Sequence, residues 1–368
     1  MFIRCEQAEL IKKLNIVTRA VPARTTMDVL TCVVIKTIGD TINMTANNME
    51  LGIETLVIGS VEEQGTVALN AKIFTDIIRK LTGSEVTIET DTSLNTTIKC
   101  GKSVFKIPGR ETTDYPPLPE IQKKYNFTIS QFVLKDLINR TIFSVSTNEN
   151  VKVITGEYFE AGDGELKVTA LDNHRIAIRK AQIPATEGNV NAIIPAKTLN
   201  EVSKILTGEI EDTVELTFGD RVLSFEFNDT LVVTRLIEGN YLDVNRMITG
   251  DYQTKITINR QELIDSLSAS LPLIPDSDNT PVVFDITDGN LNIRVRTNLG
   301  SLSSDTPITK DGEDIKIGFN PNFLIDALKA IEDESIDMYF LHQRAPGFIK
   351  NEDGTYEYVV LPVNFVDN

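Results

Sequence analysis

Residues 66–81 read TVALNAKIFTDIIRKL, and this pattern of an apolar strand followed by a short amphipathic helix occurs three times in the chain. It returns at residues 191–206 as NAIIPAKTLNEVSKIL and at residues 315–331 as IKIGFNPNFLIDALKAI. Ala71, Ala196 and Pro321 occupy equivalent places and are separated by 125 residues each time. A period of this length predicts a chain built from three copies of one small domain.

A second strand-and-helix pattern opens each copy. It reads MFIRCEQAELIKKLNIVTRAV at residues 1–21, YNFTISQFVLKDLINRTIFSV at 125–145 and TKITINRQELIDSLSASLPLI at 254–274. Between the two patterns lies a hairpin-like pair of alternating strands, GDTINMTANNMELGI, GDGELKVTALDNHRIAI and TDGNLNIRVRTNLGS. Each third of the chain is therefore predicted to hold two half-size units of strand, helix and strands, which gives six helices of about eleven to fourteen residues.

The fold class that follows is α+β, with antiparallel sheets that expose one face to water. The 368 residues suit three domains, and the joins are predicted in two tyrosine-containing stretches, residues 109–127 and 237–255. The domain boundaries are placed at 1–122, 123–250 and 251–368. Both joins carry a tyrosine followed by an apolar or proline residue, Tyr115-Pro116 and Tyr241-Leu242, as if one connector had been copied.

Composition favours a soluble cytoplasmic protein. No apolar run approaches the roughly 18 residues that span a membrane, and no signal-peptide pattern opens the chain. The three cysteines, Cys5, Cys32 and Cys100, are scattered and form no CxxC pair, so we expect buried apolar residues rather than disulfides or a zinc site.

The net charge of −17 is unevenly distributed. The six predicted helical segments together carry +5, and the rest of the chain carries −22. If the helices share one face, the molecule has a mildly basic surface on an acidic body, which suits weak, sequence-independent contact with a polyanion. Ordinary surface lysines would give the same count, so charge alone leaves both interpretations open.

Catalytic and metal-binding patterns are scarce. Only two histidines exist, His174 and His342, and neither belongs to a metal-ligand motif. Gly101-Lys102-Ser103 resembles the end of a phosphate loop but lacks its first glycine, so a hairpin turn is expected. Asp172 and His174 lie two residues apart with no obvious nucleophile, and a binding or turn role is favoured over catalysis. We predict no metal and no cofactor, and from the residues alone a catalytic role is the less favoured alternative.

Four further segments carry a family resemblance. MDVLTCVVIKTIGDTINMTANNMELGI, ITGEYFEAGDGELKVTALDNHRIAI, IGFNPNFLIDALKAI and the late segment YEYVVLPVNF resemble the bacterial DNA polymerase III beta subunit, the DNA sliding clamp. The resemblance runs through all three predicted domains. It implies the DNA clamp fold: a head-to-tail homodimer that closes into a ring, with helices lining the central hole and antiparallel sheets outside.

The implied function is to encircle double-stranded DNA and tether DNA polymerase III to its template for processive DNA replication. A basic lining tolerates any duplex sequence, and an acidic exterior discourages DNA from binding outside. The DNA contacts suggested by this reading are Arg24, Lys12, Lys72, Arg79, Lys80, Lys135, Arg140, Lys197 and Lys204.

The resemblance also implies a pocket that receives a short peptide from the polymerase catalytic subunit, the clamp loader and repair proteins. It maps to Ile154, Leu171, Asn173, His174, Arg175, Ile176, Leu242, Arg246, Met247, Val359, Leu361, Pro362 and Val363. His174, Arg175 and Arg246 are expected to hydrogen-bond the peptide, and Leu361 and Met247 to contact its apolar side chains.

Ring closure in the family joins an edge strand of the first domain to one of the third. The matching positions are Phe105 and Ile107 on one side and Leu273 and Ile274 on the other.

Two other classes of function remain open from the residues alone. An enzyme acting on a small anion would gather Asp172, His174 and a nucleophile in one pocket, and a purely structural acidic protein would show no common direction for its basic helix residues.

Overall fold

The architecture was established from a computed structural model of the chain. It describes residues 1–184, 188–247, 252–275, 280–351 and 353–365, with the side chain of Arg246 also left out. The proposed domain boundary at residue 250 lies outside these ranges.

The first third of the chain contains two units of strand, helix and strands, as the sequence predicts. Its helices start at asparagine or glutamate positions that end a strand, and the Asn70 side chain caps the second helix by accepting a hydrogen bond from the Ile73 amide, 3.1 Å away. The elements are β1 (Phe2–Glu6), α1 (Gln7–Val17), β2 (Cys32–Ile38), β3 (Thr41–Asn47), β4 (Leu51–Val57), β5 (Gly59–Glu63), β6 (Thr66–Asn70), α2 (Ala71–Lys80), β7 (Glu85–Thr90), β8 (Asn95–Cys100) and β9 (Ser103–Pro108).

The second third repeats this order without a counterpart of β5. Its strands alternate buried and accessible residues, which is the pattern of a sheet with one face on the core. The elements are β10 (Tyr125–Ser130), α3 (Gln131–Asn139), β11 (Gly156–Gly162), β12 (Glu165–Leu171), β13 (Arg175–Gln182), β14 (Val190–Pro195), α4 (Ala196–Ile205), β15 (Thr213–Phe218), β16 (Val222–Phe227) and β17 (Thr230–Arg235).

The last third again has two such units. Asn259 and Asn320 cap its two helices, and Pro321 stands at the first helical position, where its missing N–H is not needed. The elements are β18 (Thr254–Asn259), α5 (Arg260–Ser270), β19 (Val282–Thr287), β20 (Asn290–Thr297), β21 (Gly300–Gly312), β22 (Ile315–Phe319), α6 (Pro321–Lys329), β23 (Ser335–Phe340), β24 (Gly347–Lys350) and β25 (Tyr356–Val360).

The compact units of the structure do not coincide with the three thirds of the sequence. One compact unit comprises Met1–Phe132 with Glu201–Leu236, and the other comprises Val133–Asn200 with Ile237–Asn368. The first unit holds a five-stranded sheet, β5-β1-β7-β8-β9, and an eight-stranded sheet, β10-β15-β16-β17-β4-β3-β2-β6. Pairing of β17 with β4 therefore joins the second third to the first within one sheet.

The second unit holds a twelve-stranded sheet in the order β14-β11-β12-β13-β25-β24-β23-β18-β21-β20-β19-β22. Pairing of β13 with β25 joins the second third to the last. The strand pairs are antiparallel. The α+β class and the six helices are confirmed for the described residues, and the boundaries 1–122, 123–250 and 251–368 stay a prediction.

The three copies match in detail. Ala71, Ala196 and Pro321 are the first residues of α2, α4 and α6. The strand before each of these helices is hydrogen-bonded by the chain segment that follows the last strand of the same third. Ala68 and Arg110 exchange backbone hydrogen bonds. In the other two copies, the Ile237 amide donates to the Ile193 carbonyl and the Val363 amide donates to the Gly318 carbonyl. The three strand positions are again 125 residues apart. The repeat read from the sequence is thus confirmed at the level of single hydrogen bonds.

The helices are shorter than predicted, at nine to eleven residues. A 3₁₀ turn follows three of them: Thr18–Ala20 directly after α1, Leu271–Leu273 directly after α5, and Ile142–Ser144 after α3 with two residues between. Pro272 explains one of these ends, because proline lacks the N–H that would continue the α-helical ladder. Periodicity alone does not separate such a turn from the helix it follows.

The connector after the first third is fixed to the eight-stranded sheet. Tyr115 donates its hydroxyl to the Cys32 carbonyl, and Asn47 donates its side-chain amide to the Pro116 carbonyl. Leu118 lies so close to Gly52 that a Cβ there would be 2.1 Å from Leu118 Cδ2. Glycine at position 52 is what allows the connector to lie against the sheet.

Candidate functional site

An apolar cavity of about 700 Å³ opens in the second compact unit. Most of its wall is aliphatic, from the ends of β12, β13 and β25 and from the segment that follows β17. The lining residues are Val151, Val153, Ile154, Leu171, Asp172, Asn173, His174, Arg175, Ile176, Asn240, Tyr241, Leu242, Asp243, Met247, Pro346, Val359 and Leu361.

Four large apolar side chains at this cavity remain in contact with solvent. Leu242 is 48% exposed, Val151 45%, Met247 44% and Leu361 43%. Water-exposed side chains of this size around one concavity are typical of an interaction site, since scattered surface leucines do not converge on a cavity. The buried wall behind them includes Ile154 and Leu171.

A tight turn between β12 and β13 forms the polar side of the cavity. Asp172 Oδ1 accepts the amides of His174 at 2.7 Å and Arg175 at 3.0 Å, so the carboxylate closes the turn. The His174 carbonyl accepts the amide of Leu361 at 2.8 Å, which holds the exit of β25 against the turn. Asp172 therefore has the turn role that the sequence favoured.

The guanidinium of Arg175 points into the protein and is only 10% exposed. Its Nε donates to Asp172 Oδ2 at 3.0 Å, Nη1 to Asp326 Oδ2 at 2.7 Å and Nη2 to the Phe143 carbonyl at 2.6 Å. Burial alone would lower the pKa of Arg175, but Asp326, Tyr358 and Asp172 outweigh it and raise that pKa. The expectation that Arg175 hydrogen-bonds a peptide does not fit this geometry, because each of its nitrogens already has an acceptor.

The rim carries exposed polar groups. Asn173, His174, Asn240 and Asp243 are exposed, and Asp243 Oδ1 accepts the Asn245 amide at 3.2 Å. The imidazole of His174 stacks on Phe323 of α6, with ring centroids 5.8 Å apart and an interplanar angle of 24°. The carboxylate of Asp172 is occupied by the turn, so the cavity offers mainly apolar surface, with amide groups, an imidazole and the Asp243 carboxylate at its edge.

The connector after β17 is held by Tyr241. Its hydroxyl donates to the Thr169 carbonyl at 3.3 Å, and its ring stacks on Tyr158 with centroids 4.8 Å apart. Burial raises the pKa of Tyr241. Both connector tyrosines noticed in the sequence thus bond to a strand carbonyl, and this one brings Leu242 to the mouth of the cavity.

The structure brings most of the predicted pocket residues together. Ten of them line the cavity: Ile154, Leu171, Asn173, His174, Arg175, Ile176, Leu242, Met247, Val359 and Leu361. Pro362 and Val363 do not line it, because the chain has already turned toward β22, where the Val363 amide bonds to Gly318. The side chain of Arg246 lies outside the described residues.

Sequence reasoning missed several lining residues, among them Val151, Val153, Asn240, Tyr241, Asp243 and Pro346. Most come from irregular segments, which periodicity does not place. Tyr241 is the exception, since the copied connector marked it. Among the described lining residues none is Ser, Thr or Cys, so Asp172 and His174 have no nucleophile beside them and the enzyme alternative loses its support.

The basic residues of the helices are mostly accessible. Lys12, Lys72, Lys80 and the loop residue Arg24 are exposed. Arg79 is also exposed and donates to Asn15 Oδ1 at 2.7 Å, which joins the outer faces of α1 and α2. On α4, Lys197 pairs with Glu149 at 3.0 Å and Lys204 with Glu201, but both lysines remain largely exposed. Lys135 on α3 is half-buried.

Arg140 does not fit a role in DNA contact. Its guanidinium is 14% exposed and is bound by the Asp136 carboxylate, the Ala330 carbonyl and, at 2.9 Å, the Glu332 carboxylate. Two other basic residues that raised the helix charge, Lys13 and Arg19, also pair within the first unit, with Asp229 and Glu201. The accessible positive charge on the helices is therefore smaller than the sequence count.

The predicted interface residues occupy different kinds of element. Phe105 and Ile107 lie on β9, the last strand of the five-stranded sheet, as an edge-strand role requires. Leu273 and Ile274 do not lie on a strand: Leu273 ends the 3₁₀ turn after α5, and Ile274 follows it. Leu273 Cδ2 is nevertheless 3.2 Å from the position of a Cβ on Gly300, so it lies beside the start of β21.

That start of β21 is itself an open edge. Residues 300–307 pair with β20, and residues 308–312 pair with β18. Among the described residues no strand pairs with the other side of residues 300–307. The open edge beside Leu273 in the described structure therefore belongs to the neighbouring strand β21.

The described part of the chain gives little support for a metal site, a reactive cysteine or a phosphate loop. No group of three His, Cys, Asp or Glu residues there is arranged to hold a metal ion. Cys5, Cys32 and Cys100 are buried free thiols, as expected. Gly101 and Lys102 form the turn of the β8–β9 hairpin, with Gly101 at a φ of +56°. None of the helices described is both long and apolar enough to cross a membrane.

Glu157 on β11 is a buried acid behind the cavity wall. It is 0% exposed; Oε1 accepts the Thr141 hydroxyl at 2.7 Å, and Oε2 has no partner. Burial raises the pKa of Glu157 well above the ordinary 4.5. Between 4.5 and the folded-state pKa, the folded carboxyl keeps its proton while the unfolded one loses it, so stability falls as pH rises through this window.

We expect Glu157→Gln to remove this loss of folding stability at high pH. At pH 8 the variant should be more stable than the wild type by about 1–3 kcal/mol, because no buried carboxylate has to be neutralised. At pH 4.5 the two should be nearly equal. Urea unfolding at both pH values measures the difference, with Glu165→Gln on β12 as the control. A Glu157→Gln difference that does not change with pH would contradict the assignment.

Comparison with known proteins shows which family has this sequence and fold. Residues 1–119, 128–243 and 245–364 match the N-terminal, central and C-terminal domains of the DNA polymerase III beta subunit. The beta sliding clamp of Halalkalibacterium halodurans is 32% identical over 357 residues, covering 93% of this chain and 94% of the relative. That of Bacillus subtilis is 30% identical over 372 residues, covering 97% and 98%.

Solved structures agree. A structure from Eubacterium rectale described as a DNA polymerase III beta subunit has a TM-score of 0.96 and 44% identity, and covers 99% of both chains. The DNA polymerase sliding clamp of Bacillus subtilis has a TM-score of 0.96 and 30% identity over all of both chains. The chain therefore belongs to the bacterial DNA polymerase III beta subunit family, the sliding clamps, which are non-catalytic processivity factors of DNA replication.

Proposed function

We propose that two copies of this chain close head to tail around duplex DNA in the cytoplasm and hold DNA polymerase III on its template. The cavity of the second unit is the docking site in this proposal, and it takes a short apolar peptide from the polymerase, the clamp loader and repair proteins. The observation that carries the proposal is the convergence of Leu242, Met247 and Leu361, all exposed, on one apolar cavity.

The chemistry of the cavity suits a peptide better than a small charged molecule. Its wall is mostly apolar, Asp172 and Arg175 are already paired with each other, and the amides of Asn173 and Asn240 lie at the rim, where they can bond the peptide backbone. Charged side chains on the ligand would find little to pair with inside, because Arg175 and Asp172 already bond each other. The peptide is therefore expected to bury apolar side chains and keep its charges in solvent.

Ring closure in this proposal uses the two open edges. β9 presents Phe105 and Ile107, and the first part of β21 presents an unpaired backbone beside Leu273 and Ile274. Two such edges can complete each other's hydrogen bonds, which also protects them from unwanted pairing. Because the two edges differ, the contact is heterologous, and a ring forms when it closes after two copies.

DNA contact is assigned to Arg24, Lys12, Lys72, Arg79, Lys80, Lys135, Lys197 and Lys204, without Arg140. Lys12, Lys72 and Lys80 are exposed on α1 and α2. Lysines and arginines of this kind bind phosphates without reading sequence, and a small number of contacts lets the protein move along the duplex.

The test is the salt dependence of duplex binding. The Arg24→Glu, Arg79→Glu variant should bind a fluorescent duplex less tightly at low salt, and the slope of log K against log[salt] should fall by about 2 because two phosphate contacts are lost. The matched control reverses two exposed lysines outside the helices, Lys36→Glu and Lys102→Glu. Equal effects of the two double variants would show only a change in net charge and would refute the assignment.

Ring formation is tested separately from affinity. A clamp loaded by a bacterial clamp loader onto a nicked circular plasmid should stay bound in high salt and leave when the plasmid is cut to a linear form. Release of the protein from the circular and the linear plasmid at the same rate would overturn the proposed encirclement.

A further inference from the structure

Asp326 of α6 lies outside the cavity lining, yet it is bonded to the turn that forms the cavity's polar wall. Its Oδ2 accepts Arg175 Nη1 at 2.7 Å, and its side chain is 41% exposed. Arg175 in turn bonds Asp172 Oδ2, whose other oxygen closes the turn. The chain of contacts thus runs from α6 through one guanidinium to the wall of the cavity.

A second contact follows the same route. Phe323, one turn before Asp326 on α6, has its ring centroid 4.5 Å from Arg175 Cζ and 5.8 Å from the centroid of the His174 ring. The Phe323 carbonyl accepts the Tyr358 hydroxyl at 2.8 Å, so the first turn of α6 is tied to β25. One helix face therefore supports both His174 and Arg175.

The orientation of Arg175 depends on this support. Its third acceptor is the Phe143 carbonyl, and the Phe143 ring lies 5.5 Å from Cζ. A guanidinium held by three acceptors and two rings has one orientation, and its backbone then has one position. A binding wall that is fixed before the ligand arrives loses less freedom on binding, which increases affinity without any added contact.

We propose that Asp326 is a positioning residue for the peptide cavity, which holds Arg175 so that the turn at residues 172–176 is set before a partner docks. This rests on the proposed peptide-docking function. Asp326 does not touch the peptide in this arrangement. Its removal should loosen the turn and weaken docking, although the apolar lining is unchanged.

The experiment titrates a fluorescent peptide of the Gln-Leu-x-Leu-Phe type with the full-length chain and its variants. Asp326→Asn should raise the Kd about tenfold, which is within the range of coupling between residues in one bonded network. Asp326→Glu should recover part of the affinity. The matched control is Asp265→Asn on α5, because Asp265 is a helix-surface acid that accepts only from Gln261 in the described structure.

A double-mutant cycle separates positioning from general stability. In an Arg175→Met background, Asp326→Asn should cause no further loss of affinity, because the residue through which Asp326 acts is gone. If Arg175→Met does not fold, hydrogen exchange of Asp326→Asn replaces the cycle: the amides of His174 and Arg175 should exchange faster, with protection elsewhere unchanged.

The outcomes distinguish the two proposals. Equal affinity of the peptide for the wild type and for Asp326→Asn would overturn the positioning role. The proposed docking function would not be affected by this result. Additive losses in the cycle, or protection lost throughout the unit, also overturn the positioning role. Failure of the wild type to bind the peptide overturns the docking function and, with it, the role of Asp326.

Discussion

Leu273→Ala combined with Ile274→Asp is expected to convert the proposed ring into monomers. Both side chains pack partly against the core beside the open edge of β21, and ring closure would remove that edge from water. A carboxylate placed in such a contact costs about 3 kcal/mol or more when it loses its hydration without a partner. A two-membered ring has this contact twice, so sedimentation should show a species of 40.9 kDa.

The heterologous contact gives this experiment an internal check. Ile107→Asp on β9 damages the opposite edge and should also give monomers when alone. Mixed in equal amounts, the two variants retain one undamaged pair of edges, and an open dimer should form at high concentration. Ile58→Asp is the control, since Ile58 is an isoleucine 73% exposed on neither edge. Variants that remain dimeric alone would show that the copies associate elsewhere.

Leu242→Ala combined with Leu361→Ala is expected to weaken peptide binding roughly 100-fold. Each truncation removes aliphatic surface from the cavity and loses about 1.5 kcal/mol of binding free energy. Neither should unfold the protein, because both side chains are nearly half exposed in the free chain. Anisotropy of the labelled Gln-Leu-x-Leu-Phe peptide measures the loss.

Leu56→Ala is the control for this prediction, because Leu56 is a leucine 37% exposed on β4, in the other compact unit. Unchanged binding by the double variant would place the peptide somewhere other than the cavity. An equal loss in Leu56→Ala would indicate a general change in the protein.

Repetition explains what could be predicted from the sequence. Ala71, Ala196 and Pro321 marked three helix starts, since a strand that ends at a helix leaves the same apolar spacing each time. The class, the six helices and most of the cavity residues followed from this and from the family resemblance. Helix ends did not, because the 3₁₀ turns keep the apolar spacing of the helix.

Two of the errors, at Arg140 and Arg175, share a cause. Arg140 and Arg175 were read as accessible charges, but both are bound by acceptors that lie far away in sequence, such as Glu332 and Asp326. Leu273 was placed on a strand although Pro272 precedes it. Partners distant in the chain decide whether a charged side chain faces solvent, and a single sequence carries no record of them.

The pairing of strands from different thirds has a consequence for synthesis on the ribosome. Strand β4 finds its neighbour β17 only after residue 235 has been made, about ten seconds or more later at ordinary elongation rates. Until then its edge is free to pair wrongly. The cavity is completed later still, because Val359 and Leu361 form part of its wall. If this cavity is the docking site proposed above, a nascent chain that stops short of these residues cannot recruit partners, and only subunits that include them would compete for the polymerase.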